Sequence, residues 1–535
     1  MGGIEKVAKY LNEHISGSVF FSPQILERYS TDKSILKIKP QLVALPETTH
    51  DVRKLVRFSN QLATKKIKLP VTVRGSGSDK TGASIGNGMV ISMEHMNKIQ
   101  EIDPRQKLVR LQAGVTLGEL NSALALHGLT IPISADHAQT IGGLIGNYHH
   151  GNYSKKHGNI THFISQAEVV LSSGDCVQTE RVNARSAKNR KGFAGFEGEI
   201  YRKLGDLLSE NSDLIEEIIE PKNIDAAGYE MIYDVCRKDG SFDIMPLFYG
   251  AQGTLGVITE VIMHCDYLAA KPNYFFAQFK KFESAKDLIK AAIDLEASEI
   301  NIYDNRLFDA AEKLGKNFDV FRTRFEDGYL VAVAFNDRKV KYRLRRLKAL
   351  SNVMKTSKNW KIYEGEDGED AYNFASSISV YLNSAKTGER VGLVDDVFVP
   401  DDGFVEFVNY LKLLEEKYKT KLPIFGSAAN NIYSIRPNID LSTEDGRNQA
   451  LSFLKDLAKA VSLVGGSITG GSPGGRTKAV YVNRIMDKRL KKLYKLLKAI
   501  LDPNEILNPG VKIDADLPTL IKHLKTTNDL GIILA

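Results

Sequence analysis

The sequence predicts an α+β fold built from two packed units, and three observations predict it. At 535 residues the chain is far longer than the ~100 to 200 residues of one domain, so it can bury more than one sizeable core. From about residue 41 to residue 265, short apolar runs alternate with glycine-rich turns and helical stretches. After Pro272 the pattern changes, and strands such as YFFAQF and YLVAVAF alternate with long amphipathic helices.

In the first unit the expected strands are LVAL, GMVISM, KLVRLQAG, AEVVLSSGD and GVITEVIM, with a helix over residues 49–61. A polar, charge-rich insert runs from about 180 to 242, includes a helix over 198–208, and is expected at the surface. In the second unit helices are expected over 283–297, 404–418 and 443–463. Ser442 followed three residues later by Asp445 reads as an N-terminal capping pair for the last of these. A late helix over 487–501 carries Lys488, Arg489, Lys491, Lys492, Lys495 and Lys498 around an apolar stripe of Leu490, Leu493, Leu497 and Ile500. Such a helix either touches anionic lipid or nucleic acid with its basic face, or packs its stripe on a core and leaves the charges solvated. The second reading is the commoner one in soluble helices and is preferred, so no nucleic-acid partner is expected.

With 43% hydrophobic and 26% charged residues the composition is that of an ordinary globular chain and argues against disorder. The opening segment MGGIEKVAKYLNEH lacks the apolar stretch of a signal peptide, and no run of ~18 apolar residues occurs, so export and membrane spanning are disfavoured. The three cysteines, Cys176, Cys236 and Cys265, form no close-spaced pair and suit reduced thiols. A cytoplasmic location is expected, with peripheral contact at the inner face of a membrane through the basic helix left open. A homodimer is also left open.

The chemically loaded stretches are three glycine-rich turns. In VTVRGSGSDKTGASI, residues 71–85, a strand ends and Gly75 and Gly77 follow at once. Small residues let successive backbone N–H groups approach an anion, and a pyrophosphate fits such a loop. The second turn is TIGGLIGN, residues 140–147, followed by YHHGNYSKKHG, and the third is YGAQGTLGVITE, residues 249–260. One Gly–Ser turn means little. Three within one α+β unit are better explained by a large dinucleotide than by chance.

The ordered set RGSGS, LQAGVTLGELNSAL with HGLTIP, TIGG, EVVLSSGD and GTLGVITE resembles the PCMH-type FAD-binding domain of the vanillyl-alcohol oxidase superfamily. Within it the chain looks most like the D-lactate dehydrogenase and glycolate oxidase flavin-subunit branch. VGLVDDVFVP, residues 425–441, residues 465–476 and DPNEILNPGVK fall where that branch has comparable segments, so the resemblance spans roughly residues 40–512. It implies an FAD-binding domain over 1–268 containing the insert, a substrate (cap) domain with an antiparallel sheet over 269–500, and a segment over 501–535 that returns to the first domain. It further implies that Arg74, Gly75, Ser76, Gly77, Ser78 and Asp79 wrap the diphosphate. Pro132, Thr140, Ile141, Gly142, Gly143 and Asn147, with Gly253, Thr254, Gly256, Val257 and Ile258, would line the ribityl and ring sections, and Asn508 would return the chain to the flavin. Covalently flavinylated relatives usually carry a histidine in the first loop. This loop has none, so non-covalent FAD is expected. His149, His150 and His157 read as polar loop residues rather than catalytic ones.

The same branch usually carries G-H-x-G-D-G-x-x-H and, later, G-E-H-G-D-G-R, whose histidines and glutamate hold a divalent metal or act as the base. Here Ser427 and Ser434 stand at the two histidine positions and Gly471 and Ser472 replace the Glu-His pair, so no metal is expected. Arg436 and Arg476 survive as candidates to clamp a carboxylate or stabilise a reduced ring, with structural ion pairing an equal alternative. Tyr433, Asn430 and Asn431 are candidates to hydrogen-bond an alcohol. The expected activity is an FAD-dependent oxidoreductase taking hydride from a small alcohol, sugar or hydroxy acid, its acceptor being oxygen, a quinone or a redox protein. The alternatives are a non-catalytic flavin-binding subunit relaying electrons for a partner redox protein, or a scaffold that binds a nucleotide or anionic polymer.

Overall fold

The computed structural model describes residues 3–219, 225–312, 325, 327–355, 359–363, 368, 370, 372–373, 393–435, 437, 439–441 and 443–525. An N-terminal sheet runs in the order Ser18–Phe20, Leu42–Leu45, Met89–Ser92, Val71–Arg74, with the last three strands parallel. Parallel neighbours require a crossover, and the helix Thr49–Thr64 supplies one. A reciprocal cap starts it: the Thr48 hydroxyl accepts from the Asp51 N–H, and the Asp51 carboxylate accepts from the Thr48 N–H, a pairing of about 1 kcal/mol. Its Val52, Leu55 and Val56 then bury against Leu42, Val71, Met89 and Ile91.

A second, antiparallel sheet has the order Ile99–Asp103, Leu108–Gln112, Val257–His264, Ile164–Val170, Cys176–Thr179. The strand that follows the third glycine turn therefore lies at its centre. The expected α+β pattern and the five named strands are observed here.

The insert keeps one face at the surface, as expected, but buries the other. Its helix Gly195–Glu210 places Ile200, Tyr201, Leu204, Leu207 and Leu208 in one core with Leu493, Tyr494 and Leu497 of the basic helix Lys488–Leu501. The apolar positions recur at helical spacing, so a charge-rich composition concealed a one-sided stripe. The basic helix is thus core-facing, and Lys488, Lys492 and Lys495 are solvated. Lys498 is the exception to the expected charged face. It is buried, and its ammonium donates to the Thr254 carbonyl at 2.7 Å, the Leu507 carbonyl at 2.8 Å and the Asp502 carboxylate at 2.5 Å. Among the described residues no helix is long and apolar enough to cross a membrane. Replacing Lys488, Lys492 and Lys495 by glutamine is expected to move stability by no more than about 0.5 kcal/mol each, read from a denaturant midpoint.

The cap contains an antiparallel seven-stranded sheet in the order Trp360–Tyr363, Asn273–Phe279, Tyr329–Phe335, Glu299–Asp304, Ile424–Ser427, Ile432–Ile435, Val394–Phe398. Phe275, Ala277, Ile300, Ile302, Val331 and Val333 point into a core shared with Lys286–Asp294, Val340–Val353, Phe404–Tyr418 and Glu444–Leu463. The helix expected over 283–297 begins as a 3-10 turn, Phe282–Ala285, and ends at Asp294. Ser442 lies outside the described residues, and the cap of Glu444–Leu463 is Thr443, whose hydroxyl accepts from the Gly446 N–H at 3.0 Å.

Two strand-like contacts tie the C-terminal segment to the N-terminal unit: Leu507 pairs in parallel with Val71 of the sheet's edge strand, and Leu524 pairs with Leu36, in the loop before Leu42–Leu45. The Lys525 ammonium then donates to the carbonyls of Asp32 and Ser34.

Candidate functional site

The three glycine turns meet around one cleft of about 850 Å³, counting its open mouth. Gly75, Ser76, Gly77, Ser78 and Asp79 line it from the first turn, Thr140, Gly142, Gly143 and Asn147 from the second, and Gly253, Gly256, Val257 and Ile258 from the third. Phe248, Met93 and Val73 give it apolar walls, and Gln252 and Gln139 give it polar ones.

Close approach dictates the glycines. A Cβ on Gly75 would stand 2.2 Å from the Thr140 hydroxyl oxygen, so the first and second turns touch only because Gly75 has no side chain. Gly77 has φ +71°, and a Cβ there would run into the Arg74 guanidinium. Among the described residues, no backbone N–H of Ser76, Gly77 or Ser78 donates to a protein acceptor. Three successive donors without partners in one tight turn form a concave site suited to an anion.

Other residues expected at the cofactor hold the loops instead of lining the cleft. Arg74 turns back, donates to the Thr31 carbonyl at 2.8 Å and lies over the Tyr29 ring, where it borders a second cavity with Ser92, Asn97 and Thr116 that Gly75 and Ser76 also line. Ile141 is buried in the core, as is Pro132 beside Ile131 and Ile133. The Thr254 hydroxyl faces the Tyr229 hydroxyl at 2.8 Å, away from the cleft. Asp79 lines the cleft, and its carboxylate also accepts from the backbone N–H groups of Thr81 and Ala83, which closes the turn.

Asn508, with φ +44°, is a junction. Its amide donates to the carbonyls of Ala83 and Gln252, both at 2.8 Å, and its oxygen accepts from Thr72 and Arg476. One side chain therefore holds the first turn, the third turn and the C-terminal segment together. Gln252, which sequence reasoning did not single out, extends this link: its amide donates to Asn147 at 3.2 Å and to Thr81 at 3.1 Å, and its oxygen accepts from the Gly475 N–H. Its position between two glycines of the third turn is the one local signal that marked it.

Of the four residues expected to be catalytic, the three that the structure describes do not come together. Arg436 lies outside the described residues. Arg476 is buried, and its guanidinium donates to the carbonyls of Gly82, Ile85 and Pro509 and to the Asn508 side chain, so its donors are spent on the backbone of the first glycine turn and the C-terminal segment. Burial pulls it down to about 10. Tyr433 points to the opposite face of the cap sheet, against Phe404 with ring centroids 4.7 Å apart, and burial pushes its phenol well above the usual range. Neither Arg476 nor Tyr433 is placed for the chemistry expected of it. Asn430 faces the first unit, its amide donating to Ser427 at 2.8 Å and to the Gly151 carbonyl at 3.3 Å.

Around the two altered segments, Lys80 of the first turn donates to the Asp395 carboxylate at 2.6 Å, and Lys478 donates to the Asp395 carbonyl at 2.5 Å and the Ser472 hydroxyl at 3.1 Å. A Cβ on Gly471 would come within 2.7 Å of the Asp396 side chain, so no glutamate fits there without a shift. No three His, Cys, Asp or Glu side chains gather as a metal site among the described residues. His149 contacts the Ser134 carbonyl at 2.9 Å, and burial lowers its pKa. Burial and the neighbouring His149 and His162 bring His150 down to about 3, so His150 is neutral near pH 7.

Comparison with known proteins places this geometry. Residues 40–180 match the FAD binding domain family, and residues 269–511 match the FAD linked oxidases C-terminal domain. The chain is 25% identical over 506 residues to a D-2-hydroxyglutarate dehydrogenase of Pantoea ananatis, covering 90% of this chain and 48% of that protein. It is 24% identical to a D-lactate dehydrogenase of Anaerostipes hadrus, covering 92% of this chain and 94% of that one. It spans about half the length of the D-2-hydroxyglutarate dehydrogenases it matches. It shares its fold with p-cresol methylhydroxylase, at a TM-score of 0.69 and 14% identity over 97% of this chain and 98% of that one.

Proposed function

We propose, for a chain that belongs to the FAD-linked oxidases, that it binds FAD non-covalently in the cleft between its three glycine turns and oxidises a small CH–OH donor. The observation that carries this reading is the convergence of turns far apart in sequence on one cleft, with the N–H groups of Ser76, Gly77 and Ser78 turned to no protein acceptor. Those N–H groups would hold the diphosphate. The cavity shared by Arg74, Ser92 and Asn97 adjoins the same Gly75–Ser76 backbone and offers space for the remaining nucleotide, with the buried Ser92 hydroxyl still without a partner. Val257, Ile258, Phe248 and Asn147 would take the ring end.

When bound, FAD supplies a two-electron acceptor for the donor's hydride. The protein's part is to exclude water with apolar walls, to fix the turns through Asn508, Gln252 and Arg476, and to offer Asn430 and its neighbours to the donor. No His, Cys or Tyr lines the cleft among its described residues, which supports a non-covalent link. The relatives' names supply the first donors to try: D-lactate, D-2-hydroxyglutarate and glycolate, followed by polyols and sugars.

Purified protein is expected to be yellow, to release all of its flavin into the supernatant on denaturation, and to bleach anaerobically with at least one member of that panel. Protein that stays colourless when mixed with FAD, or flavin that remains on the denatured chain, would refute the corresponding part of the reading.

A further inference from the structure

Glu299 is a buried carboxyl for which the fold alone gives little reason. It begins the fourth strand of the cap sheet, on the face opposite Ile300 and Ile302, and is 5% exposed. Asn152 reaches it from the loop that continues the second glycine turn, its amide 3.4 Å from the carboxylate. Asn301 donates from the same strand at 3.4 Å, and the Tyr372 hydroxyl donates to the same oxygen. Among the described residues no lysine or arginine pairs with it. A carboxyl dried by burial and met by these neutral donors is costly to ionise, and burial lifts it to about 7.

The surroundings point to a ligand. Asn301 donates to Tyr372 at 2.6 Å, yet its own side-chain oxygen is buried with no partner in a residue 2% exposed. A donor group entering here would satisfy it. Ser427 sits opposite Asn301 across the strand pair and is bridged by Asn430 to the Gly151 carbonyl, so the cluster spans the seam between the cap sheet and the flavin unit. The titratable groups that face Glu299 are phenols: Tyr153 from the loop, Tyr372, and Tyr274, which stacks on Tyr372 at 4.8 Å. Burial pushes Tyr153 above the usual range, so it does not compete as a base.

We propose that Glu299 is the proton acceptor for the donor's hydroxyl, with Tyr372, Asn152 and Asn301 as positioning residues. The proposal rests on the reading of the chain as an FAD-linked oxidoreductase of CH–OH donors. The hydroxyl O–H bond gives its proton to the Glu299 carboxylate, the C–H bond gives its hydrogen with the electron pair to FAD, and the O–H bonding pair becomes the second C–O bond of a carbonyl product. The ligand class is a small donor whose hydroxyl and a second polar group reach Glu299 and Asn301 together.

The test compares wild type, Glu299→Gln and Glu299→Asp as full-length, FAD-loaded protein. Flavin content is expected to be equal in all three. Flavin reduction by D-lactate, D-2-hydroxyglutarate or glycolate is expected to fall about 10²-fold or more in Glu299→Gln, with a smaller loss and a retained pH profile in Glu299→Asp. The wild-type rate is expected to rise with pH through about 7, because the base must be ionised. Two readouts need no substrate. A pH difference spectrum of the bound flavin should show a step near 7 that vanishes in Glu299→Gln. Thermal melting supplies the other: a folded-state pKa above the unfolded value means that proton binding favours the folded state and ionisation opposes it. Wild type should therefore lose stability relative to Glu299→Gln as pH climbs from about 4.3 through 7.

Glu299→Gln reducing as fast as wild type would overturn the proposal. So would the absence of the spectral step in wild type, even where no donor reduces the flavin and only the broader reading has failed. Should Glu299→Gln not fold, an unchanged rate and pH profile in Glu299→Asp would overturn it equally.

Discussion

Valine at position 75 is expected to give a folded protein that binds FAD about 100-fold or more weakly than wild type. The Gly75 Cα faces the Thr140 hydroxyl so closely that even a methyl would overlap it, at 2.2 Å. Thr140 cannot swing aside freely, because its oxygen accepts from the Gly143 N–H at 3.3 Å and starts the helix Ile141–Gly146. The first turn must therefore move, and the N–H groups of Ser76, Gly77 and Ser78 move with it. Overpacking of this kind costs about 1–3 kcal/mol, less than the ~5–15 kcal/mol of a typical domain, so the fold survives. The cleft does not, since a displacement of about an ångström removes several N–H contacts to the diphosphate together and lowers FAD affinity by about 100-fold or more. Titrating FAD into apo protein, with far-ultraviolet circular dichroism as the folding control, measures both. A stoichiometric yellow Gly75→Val protein would show that the flavin binds elsewhere.

What could be read from the sequence, and what could not, follows the range of the interactions. The strands LVAL and GVITEVIM, the helix over 404–418 and the three glycine turns carry their own local signal in period, turn chemistry and small residues, and they appear where expected. Tyr433 was misplaced because a motif frame fixes position along a strand but not which face a side chain takes. Period-two alternation sends Tyr433 to Phe404 while Ser434, beside it, meets Asp396. Glu299 carried no local signal at all, for its partners Asn152 and Tyr372 lie 147 and 73 residues away. The buried stripe of the insert was missed because its composition was judged before its helical spacing.

Arg476 makes the sharpest contrast between a sequence role and a structural one, and its removal is expected to cost stability and flavin together. Methionine would fill most of the same space but leave the carbonyls of Gly82, Ile85 and Pro509 and the Asn508 oxygen short of a donor in a buried site. Each such loss costs about 1–3 kcal/mol, so a total of at least about 3 kcal/mol is expected after local relaxation. Because Gly82 and Ile85 belong to the first glycine turn and Asn508 to its junction with the third, the loosened segment is the one that shapes the cleft, and FAD affinity should fall in parallel. Lysine at 476 should recover part of both, since an ammonium can serve one or two of the four acceptors but lacks the planar fork that serves them all. Urea midpoints and FAD titrations on Arg476→Met and Arg476→Lys, with turnover expressed per bound flavin, separate the two roles. A staple lowers stability and occupancy and leaves turnover per flavin near wild type. If Arg476→Met kept its midpoint and its flavin but lost turnover, the guanidinium would be acting on the donor after all, and the carbonyl contacts seen here would have to open when the donor binds.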